Sequence, residues 1–176
     1  MTDAINFEFG DDQFAVVVSV VETFDDKPKF NQIEISITGD GWKLHSPETE
    51  TLSVVSERLG KFVGNAATRH WGAFAGISNY EAALERVEKF AFGGAELVEI
   101  EANRFSISSA LRDYLLSDCF TYGNLGVDHA VSVRDHQAET VFWRTRAGKI
   151  GVAVIPIAKF DAAIAGFVAW ASSQTS

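Results

Sequence analysis

Apolar and polar residues alternate with period two in several stretches of this chain, the pattern of half-buried strands. Ile5, Phe7 and Phe9 alternate with Asn6 and Glu8 before the turn residues Gly10-Asp11-Asp12. Residues 14–21 are an almost unbroken apolar run rich in valine, which predicts a central strand. Asp25-Asp26-Lys27-Pro28-Lys29 has the composition of a connection. Ile33, Ile35 and Ile37 then alternate with Glu34 and Ser36, and Gly39-Asp40-Gly41 turns the chain into a short strand over 42–45. Together these predict an antiparallel meander.

After residue 45 the period becomes that of a helix. Ser46-Pro47 reads as an N-cap hydroxyl followed by proline at the first helical position. Leu52, Val55, Leu59, Phe62 and Val63 then recur at helical spacing. Ser78 and Glu81 predict a capping box for a second helix carrying Tyr80, Leu84, Val87 and Phe90. A strand is predicted over 97–101, and Ser108 or Ser109 opens a third predicted helix through Leu111, Leu115, Leu116 and Cys119.

Strands follow near 127–134, 139–146 and 149–156, the last two joined by a hairpin at Ala147-Gly148. The apolar stretch 150–171 is interrupted by Pro156, Lys159 and Asp161. It therefore predicts a buried strand and a final helix from about 158 to 172 rather than a membrane span. The order as a whole predicts an α+β fold: a single two-layer domain over 1–176, with antiparallel meander sheets and about four helices packed on one face.

Charge matters here through its placement. The chain has 24 acidic and 15 basic residues and a formal net charge of −9. Residues 1–50 hold eleven acids against Lys27, Lys29 and Lys43, and no base precedes Lys27. A field of this sign repels nucleic acid and speeds association with basic surfaces. Asp11, Asp12, Asp25 and Asp26 are accordingly the candidate partner-binding acids. Trp71 and Phe74, in the stretch 71–76, and Tyr122, in the stretch 120–126, are the candidate aromatic anchors.

Catalytic chemistry does not assemble from the residue pattern. No phosphate-binding glycine loop, dinucleotide fingerprint, zincin motif or nucleophile elbow occurs. Asp128-His129 and Asp135-His136 are the best acid–base or metal candidates, yet a spacing of seven points the two histidines to opposite faces of a strand. Cys119, the single cysteine, falls on a predicted core position late in a helix, where a thiolate is disfavoured. No metal and no cofactor is predicted. Arg144, Arg146 and Lys149 read as the solvated charges of the last hairpin.

The final helix carries two stripes. Phe160, Ile164, Phe167, Val168 and Ala171 face a sheet, while Ala162, Gly166 and Ala169 form a second stripe of small residues beside Trp170. A helix this apolar is normally covered on most sides, which predicts a homodimer with Ala162, Gly166, Ala169 and Trp170 in its interface.

The N-terminal ten residues lack the basic and apolar regions of a signal peptide, so a cytoplasmic protein is expected. The reading as a whole is an acidic, non-catalytic protein-binding module of inhibitor, immunity or chaperone type, capturing a partner with a basic surface. The alternatives are a small-ligand binder or enzyme with a pocket near residues 119–136, and a self-assembling structural subunit.

Overall fold

The computed structural model describes residues 6–74, 79–91, 112–120, 125–127, 129–145 and 147–174. Its larger sheet comprises β1 (Asn6–Gly10), β2 (Ala15–Glu22), β3 (Gln32–Gly39), β4 (Trp42–His45) and the two-residue β5 (Glu50–Thr51). The strands run antiparallel in the order β1-β2-β3-β4, with β5 also on β3. A second antiparallel sheet holds β6 (Ala130–Arg134), β7 (Ala138–Arg144) and β8 (Ile150–Pro156) in sequence order. The described helices are α1 (Leu52–Gly64), α2 (Tyr80–Ala91) and α3 (Ile157–Gln174). The fold is α+β with antiparallel sheets, and three helices are described where about four are expected.

Alternation places the strands. Phe7 and Phe9 of β1 turn inward while Asn6 and Glu8 face solvent, and Ile33, Ile35 and Ile37 of β3 are fully buried. The apolar run of β2 is central, between β1 and β3. At the last hairpin Gly148 has φ +78°, the left-handed conformation glycine adopts without strain, and its N–H donates to the Thr145 carbonyl at 2.8 Å.

Helix starts differ from the pattern-based expectation for identifiable reasons. Ser46 does not cap α1, which begins six residues later at Leu52. Ser46 is buried, its N–H donates to the Ile35 carbonyl at 3.1 Å, and its hydroxyl donates to the buried Glu50 carboxylate at 2.6 Å. Tertiary bonding thus holds residues 46–51 against β3. Ser78 lies outside the described residues. Asn79 caps α2 instead, its side-chain carbonyl accepting from the Ala82 N–H at 2.8 Å.

The third predicted helix opens outside the described residues, and it does not continue beyond Arg112. Leu115 bridges antiparallel to Val131, the Tyr114 carbonyl accepts from the Ser132 N–H at 2.7 Å, and only a 3-10 turn follows over Leu116–Cys119. The backbone donors along β6 need acceptors, and this segment supplies one. Arg69 supplies another, its carbonyl accepting from the Arg134 N–H at 2.6 Å. The predicted strand 97–101 lies outside the described residues.

Two apolar clusters fill the interior. The larger joins the inner faces of both sheets to α1 and α3, with Phe14 4.7 Å from Phe160 and Trp42 5.5 Å from Trp143, centroid to centroid. The smaller lies on the opposite face of the second sheet, where α2, Phe74 and Tyr114 cover Val131, Val133 and Phe142. Residues 140–143, Thr-Val-Phe-Trp, are buried on both faces of β7, so helices are needed on both sides of it.

A chain of charges links these layers. Arg69 and Glu139 are fully buried and 3.0 Å apart. Glu139 also accepts from the Ser132 hydroxyl and, at 2.6 Å, from Arg134 Nε. Arg134 in turn grips Asp161 of α3 with two bonds of 3.1 and 2.5 Å. Arg69 donates to the Phe62 carbonyl at the end of α1 and lies 3.8 Å from that ring's centroid. Burial lowers the proton affinity of the Arg69 guanidinium, against the opposing pull of Glu139. At Arg134 burial also acts to lower it, and the bonds to Asp161 and Glu139 more than reverse the effect. The network ties α1, residues 66–70, β6, β7 and α3 to one geometry.

Candidate partner-binding surface

The connection between β2 and β3 is a preformed loop. The Phe24 N–H donates to the Asn31 side-chain carbonyl at 2.8 Å, the Lys27 N–H to the Phe24 carbonyl at 2.9 Å, and the Phe30 N–H to the Lys27 carbonyl at 2.9 Å. Asn31 is buried, and its backbone carbonyl accepts from the Leu52 N–H at 2.9 Å, which anchors the loop to the start of α1. These bonds hold the backbone in one shape while two phenylalanines stay uncovered: Phe24 is 40% and Phe30 45% exposed.

Val21 is exposed beside them, and Asp25 and Asp26 are exposed between them. The Lys29 ammonium lies 5.2 Å from the Phe30 ring centroid. The outward face of the larger sheet continues the acidic surface through Glu8 and Glu34. Aromatic rings with ordered backbone and flanking charge are what protein interfaces use as anchors, because fixing two side-chain torsions costs little entropy.

The predicted site residues separate into groups. Asp25 and Asp26 lie on this loop, and Asp12 is exposed at the β1–β2 turn. Asp11, also at that turn, is engaged within the chain: its carboxylate accepts from the Gln13 N–H at 2.9 Å and pairs with Lys159 at 2.6 Å. The Lys159 bond, reinforced by the backbone N–H groups of Gln13 and Phe14, holds its carboxyl below the ordinary range.

The structure seats the two aromatic candidates that it describes on the second sheet. Phe74 is 3% exposed and meets Tyr114 edge-on at 5.3 Å, and Trp71 stacks on Phe142 with centroids 6.0 Å apart and contacts Tyr80. Both rings pack on the second sheet, Phe74 buried and Trp71 partly buried, because β7 is apolar on both sides. Tyr122 lies outside the described residues. Among the described residues Phe24 and Phe30 are the exposed phenylalanines, and sequence reasoning did not single them out. The available signal was two phenylalanines within a stretch of turn composition.

The reason for expecting a dimer through α3 also changes. Trp170 packs on Phe7 at 4.7 Å and Phe9 at 5.5 Å, and a Cβ placed on Gly166 would lie 3.6 Å from the Phe9 ring. The chain's own β1 covers that side of the helix. Ala162 and Ala169 are exposed, and side chains this small leave little apolar area in need of cover.

The remaining chemistry-bearing residues stay apart. Cys119 is buried, and burial pushes its thiol well above the ordinary range. His129 precedes β6, whereas His136 lies in the exposed turn after it. The Asp135 carboxylate in that turn accepts from the Gln137 and Ala138 N–H groups at 2.7 and 2.8 Å, and these two bonds lower its pKa. Among the described residues no group of three His, Cys, Asp or Glu side chains could hold a metal ion. No described helix is long and apolar enough to cross a membrane.

No family model matches the sequence, and no curated protein matches it. A solved structure does, the crystal structure of CdiI from Burkholderia dolosa AUO158. In fold the chain is similar to that CdiI. The TM-score is 0.64 at 15% identity, over 93% of this chain and 99% of the other. An identity this low carries the likeness of fold alone.

Proposed function

We propose that this chain is an immunity-type protein: a non-catalytic binder that neutralises a toxic protein partner by covering a basic surface on it. The observation that carries the reading is the preformed loop 21–31, where Phe24 and Phe30 stay exposed around Asp25 and Asp26. An exposed pair of aromatics on an ordered backbone has a desolvation gain still to be made, and a partner supplies it. The acids of the loop and of the larger sheet would speed encounter with a basic partner. The fold supports the same reading, since the structure it resembles is a CdiI, an immunity protein of contact-dependent inhibition. In this proposal the protein acts in the cytoplasm of the cell that makes it.

The test is growth in competition. A host strain lacking the gene is grown in contact with its parent, and the deletion strain is expected to be inhibited. Wild-type chain supplied in trans restores its growth, while a Phe24→Ala/Phe30→Ala variant present in equal amount does not. A deletion strain that grows unharmed beside its parent, or full rescue by the double variant, overturns the proposal.

A further inference from the structure

The second half of α1 faces residues 112–119 across a cleft of about 270 Å³. Arg58 and Lys61 line it from the helix and Arg112 from the opposite wall, with Phe62 and Leu115, both buried, closing its floor. Two acids, Asp113 and Asp118, also line it. Burial raises the Asp118 carboxyl, against the opposing pull of Arg112, His129 and Arg58. In a chain with a net charge of −9, cations drawn from two elements to one concave site are an exception to the general field.

We propose that this cleft is a second binding site, for a small phosphate-bearing ligand with a short apolar body. Its dianionic head would be held by Arg58, Lys61 and Arg112, and its body would lie over the cleft floor that Phe62 and Leu115 close. Guanidinium forks match the oxygens of a phosphate in pairs, and an ammonium adds a point charge. Three cations outnumber Asp113 and Asp118 in the lining, so a head with two negative charges gains more there than one with a single charge.

Arg58 donates one bond to the Phe120 carbonyl at 3.3 Å, which orients the guanidinium and leaves further N–H donors for a ligand. Lys61 pairs with Glu57 at 2.6 Å, with both side chains largely exposed, a contact that a phosphate can displace. The volume lies near the lower end for ligand sites and suits a phosphate with a body the size of one ring. The cleft is separate from the partner-binding loop, since Arg58 and Lys61 stand about 9 and 14 Å along α1 from Leu52, which lies beside that loop.

The experiment is a titration of the isotope-labelled full chain by NMR, with phenyl phosphate, inorganic phosphate and, at matched ionic strength, sodium chloride. Saturable shifts confined to residues 58–65 and 112–119 are expected, with phenyl phosphate binding more tightly than inorganic phosphate. Arg112→Gln and Lys61→Gln should each weaken phenyl phosphate by about tenfold, the loss of one charge-assisted hydrogen bond. The Lys61 side chain is 71% exposed, so its variant tests the site without unfolding the chain. Shifts that do not saturate, or that sodium chloride reproduces, overturn the site. Equal affinity for the two phosphates overturns the apolar body of the ligand.

Discussion

Glu139 shows how much a single residue can control here. It is fully buried and bonds Arg69, Arg134 and Ser132, so truncation would leave a buried guanidinium without its counter-charge. Glu139→Ala is expected to lower stability by about 3–5 kcal/mol in urea unfolding. An Arg69→Met/Glu139→Leu double variant should recover most of that loss, since removing both charges also removes their desolvation cost. A double variant no more stable than Glu139→Ala would show that Arg69 is needed for its other bonds. Asp135 acts in the opposite way, from the surface. Its carboxyl lies below the ordinary range because two backbone N–H groups favour the charged form. That contribution is complete above the unfolded-state pKa, near 4, and is lost as pH falls through the folded value. Asp135→Asn keeps the acceptor and cannot titrate, so the stability gap between variant and wild type should close as pH is lowered from about 5 to 2.

At the scale of elements, α3 and β1 form one unit. Gly166 sits in the middle of α3 with room for a methyl group against Phe9. Gly166→Ala should therefore raise stability by about 0.5–1 kcal/mol, the helix-propensity gain, by thermal unfolding. Gly166→Leu should lower it, because its longer side chain overpacks the Phe9 contact. Equal stability of the two variants would place Gly166 away from β1. The loop 21–31 behaves differently from α3, since the bonds that shape it between Phe24 and Asn31 are internal and its two rings are exposed. Phe24→Ala/Phe30→Ala is expected to change stability by no more than about 0.5 kcal/mol, the range for surface substitutions. A larger loss would make these rings part of the fold.

For the molecule as a whole, the prediction concerns association with the proposed partner. Asp25→Asn/Asp26→Asn should slow association measured by stopped flow at low ionic strength, and the difference from wild type should fade once salt shortens the screening length to a few ångströms. Phe24→Ala should act mainly on dissociation, because the ring contributes only after contact. An association rate unaffected by the two acids at low salt would remove steering from the proposal.

Much of this protein was legible in residue order alone. Alternation at 5–9 and 33–37, the apolar run of β2, the helical spacing from Leu52 to Phe62 and the α3 stripe each depend on a local period, and each became the element it predicts. Gly148 is similar, since its turn depends on one backbone angle. What local order could not decide was cover. Phe74 and Phe24 are the same side chain near loop-like sequence, yet one is sealed by Tyr114 and the other left in solvent. Ser46 has the chemistry of a cap but is held by Ile35 and Glu50, and Leu115 has helical spacing but is drawn out along Val131. In each case the outcome rests on a neighbour that only the folded chain brings near. Burial and hydrogen-bond satisfaction are properties of such neighbours, so the elements with a strong local period were written in the sequence, while the exposed surface and the segments after Ser46 and around Leu115 were decided by the tertiary structure.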